Sequence, residues 1–515
     1  MKCPVCDREK ESMVCRECGF DSSRDYGRYP TFGAVGRVPS ASGLRRAEER
    51  KQKTDSVLRA NNCYVSGDKT PTYPAIGSRY RREQKTDSVL RAERVIASDD
   101  QIPAAPVFGS TYRREQIKSV TFVASWADMP KEAWKGAWDV SADRSCTILA
   151  GVMPNGELYD LYIGGDGEVR AGASCRGLFE GYVNAERITF GGVFDTSRMQ
   201  DMSAMFRGCK SLTVLDLSGF DTSRVRDMSS MFMDCKSLTS LDLSGFDTSN
   251  VQDMRWMFWR CKSLSALDLS GFDTSRVQKM NGMFFGCEVL TILDLREFDT
   301  SSVQDMNHMF WGCKSLTELD VSSFNTTNVR DMSGMFAWCE SLTKLDVSGF
   351  NTSNVQNMES MFCDCKALTS LDVSSFDTSQ VQNMKSMFCY CEGLTSLDVS
   401  GFNTSNVQDM ESMFGNCGRL SSLDVSSFDT SRVQNMSGMF ASCWSLKTLD
   451  LTGFDTSNVE SMYGMFEQSH SLKKLKLSEN FVPAKADARN MFDACPADSI
   501  KKRIHATIFP RSWWL

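Results

Sequence analysis

Three things are scarce or missing in this sequence, and each absence removes a class of function. No stretch approaches the ~18–20 consecutive apolar residues that a membrane-spanning helix requires, so no transmembrane helix is expected. The opening residues, Met-Lys-Cys-Pro-Val-Cys, have no apolar core of the length a secretory signal needs, and no lipidation site follows one. A cytoplasmic protein is the direct expectation. Histidine is rare: the three that occur, His308, His470 and His505, share no motif. No phosphate loop, nucleophile elbow or pair of catalytic carboxylates stands out beside them, so no enzyme is expected.

What is present reads as a soluble protein, with 41% hydrophobic and 24% charged residues in a chain of 515. That length is too great for one compact core, unless the chain is an array in which each unit buries itself only against its neighbours. The net charge of −7 is unevenly placed: residues 22–118 hold 19 Lys/Arg against 11 Asp/Glu, so a basic segment precedes an acidic body. Most of the 20 cysteines fall into two orderly sets, one at metal-ligand spacing and one at a repeat period, which fits a reducing compartment better than a disulfide framework.

The first set is Cys3-x-x-Cys6 and Cys15-x-x-Cys18, within residues 1–20. Two such knuckles bring four thiolates to one tetrahedral point, which suits a single structural zinc ion; rubredoxin-like iron and redox thiols are the alternatives. With all four positions filled by protein, the metal would staple a small module rather than catalyse. Residues 21–116 are rich in Gly, Ser, Pro and Arg and read as a flexible basic linker. They contain a duplication, since Lys53 to Ala60 recurs as Lys85 to Ala92 and Tyr80 to Gln84 as Tyr112 to Gln116. Arg and Tyr together could contact nucleic acid or an acidic surface, but a solvated spacer is the plainer reading. Over 117–177, strand-like runs at Val120 to Val123, Thr147 to Val152 and Leu158 to Ile163 predict a β-rich N-terminal cap, with Asn155-Gly156 marking a hairpin.

From 178 to 495 the chain repeats itself. Phenylalanine recurs every 26 residues from Phe194 to Phe454, and twelve Met-Phe pairs run from Met205-Phe206 to Met491-Phe492 at the same spacing. In the unit Phe220 to Gly245, Asp221 and Ser223 mark a turn. Met228, Met231, Phe232 and Cys235 stand at i, i+3, i+4 and i+7, which predicts a short helix capped by Asp227. Leu238, Leu241 and Leu243 follow as L-x-x-L-x-L, a short strand in a parallel ladder. The expected fold class is an α/β leucine-rich-repeat-like solenoid of about 12 coils, one strand and one helix per coil, with residues 496–515 as a C-terminal cap or tail.

The unit L-T-x-L-D-L/V-S-x-F-D/N-T-S/T-x-V-x-D/N-M-x-x-M-F-x-x-C closely resembles the BspA-like leucine-rich repeat proteins, including the repeat labelled a mycoplasma lipoprotein domain of unknown function. The resemblance covers 178–495. It implies a bacterial surface protein with an extended face for adhesion to host or matrix proteins.

Candidate surface residues are those the unit does not need. Trp259, Phe285 and Trp311 follow the repeat Phe in three successive units, with Trp256, His308, Trp338 and Tyr390 nearby. Such a stripe suits an interface hot spot, although partial burial between neighbouring units is the competing reading. An aspartate column includes Asp242, Asp268, Asp294 and Asp320. Like charges ~4.8 Å apart repel by about 0.9 kcal/mol even in water, so hydrogen bonds on a solvated face, bound cations or a basic partner must offset them. The cysteine column, Cys209 to Cys443, reads as core packing rather than a metal ladder. The leading expectation is a non-catalytic protein-binding or adhesion protein. The runner-up is an intracellular scaffold whose knuckle and basic linker engage nucleic acid or a protein machine.

Overall fold

The computed structural model describes residues 106–142, 147–165, 167–478, 481 and 486–496. Cys3, Cys6, Cys15 and Cys18, nearly all of the basic segment and residues 497–515 lie outside the described residues, and with them the zinc expectation.

The first described elements are strand β1 (Ile117–Val123), a one-turn helix α1 (Lys131–Trp134) and strand β2 (Trp138–Asp139). Strands β3 (Ile148–Asn155) and β4 (Leu158–Gly165) follow. They pair antiparallel in full register, closed tightly at Gly156, whose φ of 65° is the left-handed conformation that a two-residue turn requires. Further on come β5 (Val169–Arg170), β6 (Arg187–Thr189), β7 (Phe194–Asp195) and β8 (Val214–Leu215). The sheet order is β2-β3-β4-β1-β6-β8. β1 therefore runs parallel to β6, the first strand of the repeats, and covers an edge that would otherwise stand open. The end of the expected linker takes part as well. Arg114 is buried and donates to the carbonyls of Gly177 and Glu180 at 3.0 and 2.6 Å.

The repeats stack in register, but not by the expected helices. Among the described residues of the repeats there is no helix: the Met-Phe segment is a string of linked turns. In one unit Ser230 and Asp234 have φ of 57° and 64°, which a right-handed helix does not admit. These are the third residues of turns 228–231 and 232–235, the place where a type II turn takes a positive φ. Backbone N–H groups alternate in direction. Met231, Met233 and Cys235 donate three residues back, to Met228, Ser230 and Phe232. Met228, Ser230, Phe232 and Asp234 instead donate to Asp253, Arg255, Met257 and Trp259 of the next unit, at 2.7–3.0 Å. The physical reason for the correction lies in this second set. An in-register neighbour supplies acceptors that an isolated helix would have to find in itself, so half the N–H groups turn outward.

The side chains of the segment point as the periodicity requires, because a string of four-residue turns brings i, i+3, i+4 and i+7 to one side just as a helix does. Met228, Met231, Phe232 and Cys235 are wholly buried. The repeat phenylalanines stack nearly parallel from Phe206 to Phe492, with neighbouring centroids 5.3–5.8 Å apart. Each column thiol donates to the carbonyl of the preceding unit's phenylalanine, as Cys261 Sγ does to Phe232 O at 3.2 Å. Ser469 replaces the column cysteine in its unit and makes the same bond to Phe440 O at 2.7 Å. Threonines tie the next corner, as where buried Thr248 Oγ1 donates to Asp273 O at 2.9 Å.

The strand segment is slighter than expected. Two-residue strands pair in parallel at Ala266–Leu267 with Ile292–Leu293 and at Glu318–Leu319 with Lys344–Leu345; Thr448–Leu451 and Lys474–Leu477 form a four-residue pair. The same segments around Leu241, Leu371, Leu397 and Leu423 form no strand pairs. Their leucines still point inward, with at most 8% exposed.

Candidate functional site

The variable side chains are placed by the turn string. Each unit has two left-handed positions, and most of these positions hold Gly, Ser, Asp or Asn, but Trp256, His308, Trp338 and Tyr390 stand there with φ of 55–60°. A bulky residue in that conformation costs on the order of 1–3 kcal/mol, which the surrounding structure must offset. Glycine alternates with the rings for a steric reason. A β-carbon on Gly282 would lie 2.5 Å from Trp256 Cδ1, and one on Gly334 would lie 2.4 Å from Trp311 Cε3. Trp256 and Trp311 thus each lie over a glycine of the following unit.

The position directly after the stacked phenylalanine carries Trp259, Phe285 and Trp311, all half-buried. Their rings form a second, outer stack, with Trp259 5.6 Å from Phe285 and Phe285 5.9 Å from Trp311. His308 packs 5.0 Å from Trp311, and burial pushes its imidazole pKa down. The Arg260 guanidinium lies 4.1 Å from the Trp259 centroid, and Arg255 lies 5.6 Å from that of Trp256. Ring faces are therefore largely spent on one another, and what remains for a partner is a row of ring edges fringed by cations. Trp338 stands elsewhere, held between Lys314 and Lys366, each 5.7 Å from its ring. These two lysines also pair with Glu340, at 3.5 and 3.2 Å.

The aspartate column belongs to the strand segment. Asp242, Asp268, Asp294 and Asp320 each accept the backbone N–H two residues on, at 3.0–3.1 Å. Those bonds lower the pKa of Asp242 and Asp268, joined at Asp320 by the Ser322 hydroxyl. At Asp294 the Arg296 guanidinium, 2.6 Å away, brings it down to about 2. Each of these four aspartates thus has a local hydrogen-bond partner. On the turn segment the sign reverses, because burial raises the pKa of Asp253, Asp305 and Asp409.

Several surface residues escape a reading based on the position after the phenylalanine. Trp444, 47% exposed, occupies the position after the column cysteine, where most other units place Lys or Glu. It lies across Gly418, where a β-carbon would meet its ring at 2.8 Å. Val214 and Ile292, 64% and 67% exposed, project from the strand segment where other units carry Ser, Ala, Thr or charge. In each case the available signal was a break in an otherwise polar column.

A family model matches residues 173–293, 284–396 and 391–505, so three successive copies cover the whole of the repeats. No curated protein and no solved structure matches the chain. With about two thirds of its length matched, the chain belongs to the family described as "Mycoplasma protein of unknown function, DUF285".

Proposed function

We propose that this is a non-catalytic binding protein of the BspA-like leucine-rich-repeat type, whose repeats form a solenoid that presents an extended surface to a protein ligand, as an adhesin does. The observation that carries the reading is the contrast between columns. The buried Met, Phe and Cys columns hold through nearly all the repeats, while the position beside them changes from the half-buried Trp259, Phe285 and Trp311 to Gly415, Ala441 and Glu467. Aromatic edges beside Arg255 and Arg260 are the material of a protein interface. In this reading Cys3, Cys6, Cys15 and Cys18 hold one structural zinc ion, and the cell surface is the place of action.

The test is binding of the wild type and of Trp259→Ala/Trp311→Ala to a panel of immobilised extracellular-matrix proteins. The double variant is expected to lose about 2 kcal/mol or more of affinity, roughly a thirtyfold rise in Kd. Capture of the same ligand by both proteins with equal affinity would remove the aromatic strip from the interface.

A further inference from the structure

Two cysteines stand apart from the buried column. Cys363 and Cys389 occupy, in adjacent repeats, the position directly after the stacked phenylalanine, where Trp259, Phe285 and Trp311 stand nearer the N-terminus. Backbone bonds hold the two in register: Phe362 and Asp364, on either side of Cys363, donate to the carbonyls of Met387 and Cys389 at 2.9 and 2.8 Å. The rings of Phe362 and Phe388, one residue before each cysteine, stack 5.7 Å apart and 7° from parallel. A disulfide needs Cα atoms ~4.4–6.8 Å apart, and in-register neighbours at this spacing fall within that window. The Cys363 thiol itself donates to Asp364 Oδ2 at 3.8 Å.

Access separates this pair from the rest. Cys365 and Cys391, two residues on, are equally in register, but both are wholly buried and donate to the carbonyls of Phe336 and Phe362 at 3.2 and 3.1 Å. Cys363 is partly exposed, and Cys389 retains 6% exposure beside it.

We propose that partly exposed Cys363 and the buried Cys389 of the next repeat form a dithiol that a small-molecule disulfide, entering at Cys363, converts to an inter-repeat disulfide. The Cys363 thiolate attacks one sulfur of R–S–S–R and expels RS⁻, which takes up the proton Cys363 has released. The Cys389 thiolate then attacks the Cys363 sulfur of the mixed disulfide and expels a second RS⁻, which takes up the proton of Cys389. Two protein thiols are oxidised to one disulfide, and one small disulfide is reduced to two thiols. The Cys389 thiol beside it, burial and the neighbouring Asp364 carboxylate raise the Cys363 pKa well above the usual thiol range. Exchange is therefore slow at neutral pH and accelerates as pH rises.

The experiment uses reduced full-length protein and glutathione disulfide at mildly alkaline pH, followed by alkylation, trypsin digestion and mass spectrometry. The expected product joins the peptide carrying Cys363 to the one carrying Cys389, with loss of the Cys363 and Cys389 thiols and their recovery on adding dithiothreitol. The cross-link is expected to vanish in Cys363→Ser and in Cys389→Ser and to persist in Cys365→Ser. All three variants should fold, since Gly415 and Ala441 occupy the surface position in other repeats and Ser469 the column position. Glutathione adducts without a cross-link, a cross-link that survives Cys363→Ser, or no loss of thiol would each overturn the proposal.

Discussion

The turn segment and the strand segment of a single repeat differ in what they contribute. The turn string sends four backbone N–H groups per unit to the next unit and carries the fully buried Met, Phe and Cys columns. The strand segment carries the leucines but pairs as a strand in only some of the repeats. The leucine columns catch the eye, yet cohesion between repeats rests mainly on the turns. The reason is geometric. Left-handed residues every fourth position aim alternate N–H groups along the stack, whereas two-residue strands offer few bonds.

The same residue type breaks this comparison most sharply. Asp320 sits in solvent on the strand segment, so aspartate is tolerated there; Cys313→Asp on the turn segment places an unpaired charge among wholly buried side chains. A loss of about 3–5 kcal/mol or local unfolding is expected in denaturant titration. A Cys313→Asp protein as stable as the wild type would show that the turn core is wet.

Truncation comes next. Phe310→Ala removes a ring stacked between Phe284 and Phe336 and should cost about 3–5 kcal/mol, near the upper end of the ~2–5 kcal/mol expected for Leu319→Ala. Hydrogen exchange sharpens the point without mutation. The amides of His308, Phe310 and Gly312, which donate to Ser333, Met335 and Ala337, should outlast those of Glu318 and Leu319. The reverse order of protection would return cohesion to the strands.

A smaller effect is expected at Gly334, whose φ of 58° and contact with Trp311 leave no room for a β-carbon. Gly334→Ala should cost about 1–3 kcal/mol and alter the fluorescence of the indole lying over it. An unchanged melting temperature and spectrum would mean that the ring moves freely.

The smallest effects, opposite in sign, are electrostatic. Asp320 on the strand segment has a lowered pKa, so its contribution is present above the unfolded value and is lost as pH falls through the folded one. Asp305 on the turn segment has a raised pKa, so its ionisation weakens the fold at neutral pH and protonation relieves this as pH falls. Asp320→Asn should therefore lower the melting temperature at pH 7 slightly, and Asp305→Asn should raise it slightly; both differences should fade in acid. Shifts of the same sign would erase the distinction.

Much of this was legible in the sequence. The period, the buried columns and the hairpin at Gly156 follow from residue spacing and from one turn dipeptide. The buried role of Cys209 to Cys443 was legible too, although the thiol's bond to a neighbouring carbonyl was not. The helix was misread because Met228, Met231, Phe232 and Cys235 satisfy a helical period equally well in a string of turns, and periodicity reports the direction of side chains, not the partners of the backbone. Trp444 was harder to read, because a single ring in the column after the cysteine forms no run such as Trp259, Phe285 and Trp311 form.

The sequence by itself determined that the chain is a tandem array, how long each unit is, and which side chains every unit buries, since a strict repeat leaves each apolar column only its own copies to pack against. Only the tertiary structure decided how each unit is wound and which surface rings are already occupied. Both depend on hydrogen bonds and ring contacts between residues 24 to 30 positions apart, and a local pattern carries no information about partners at that distance.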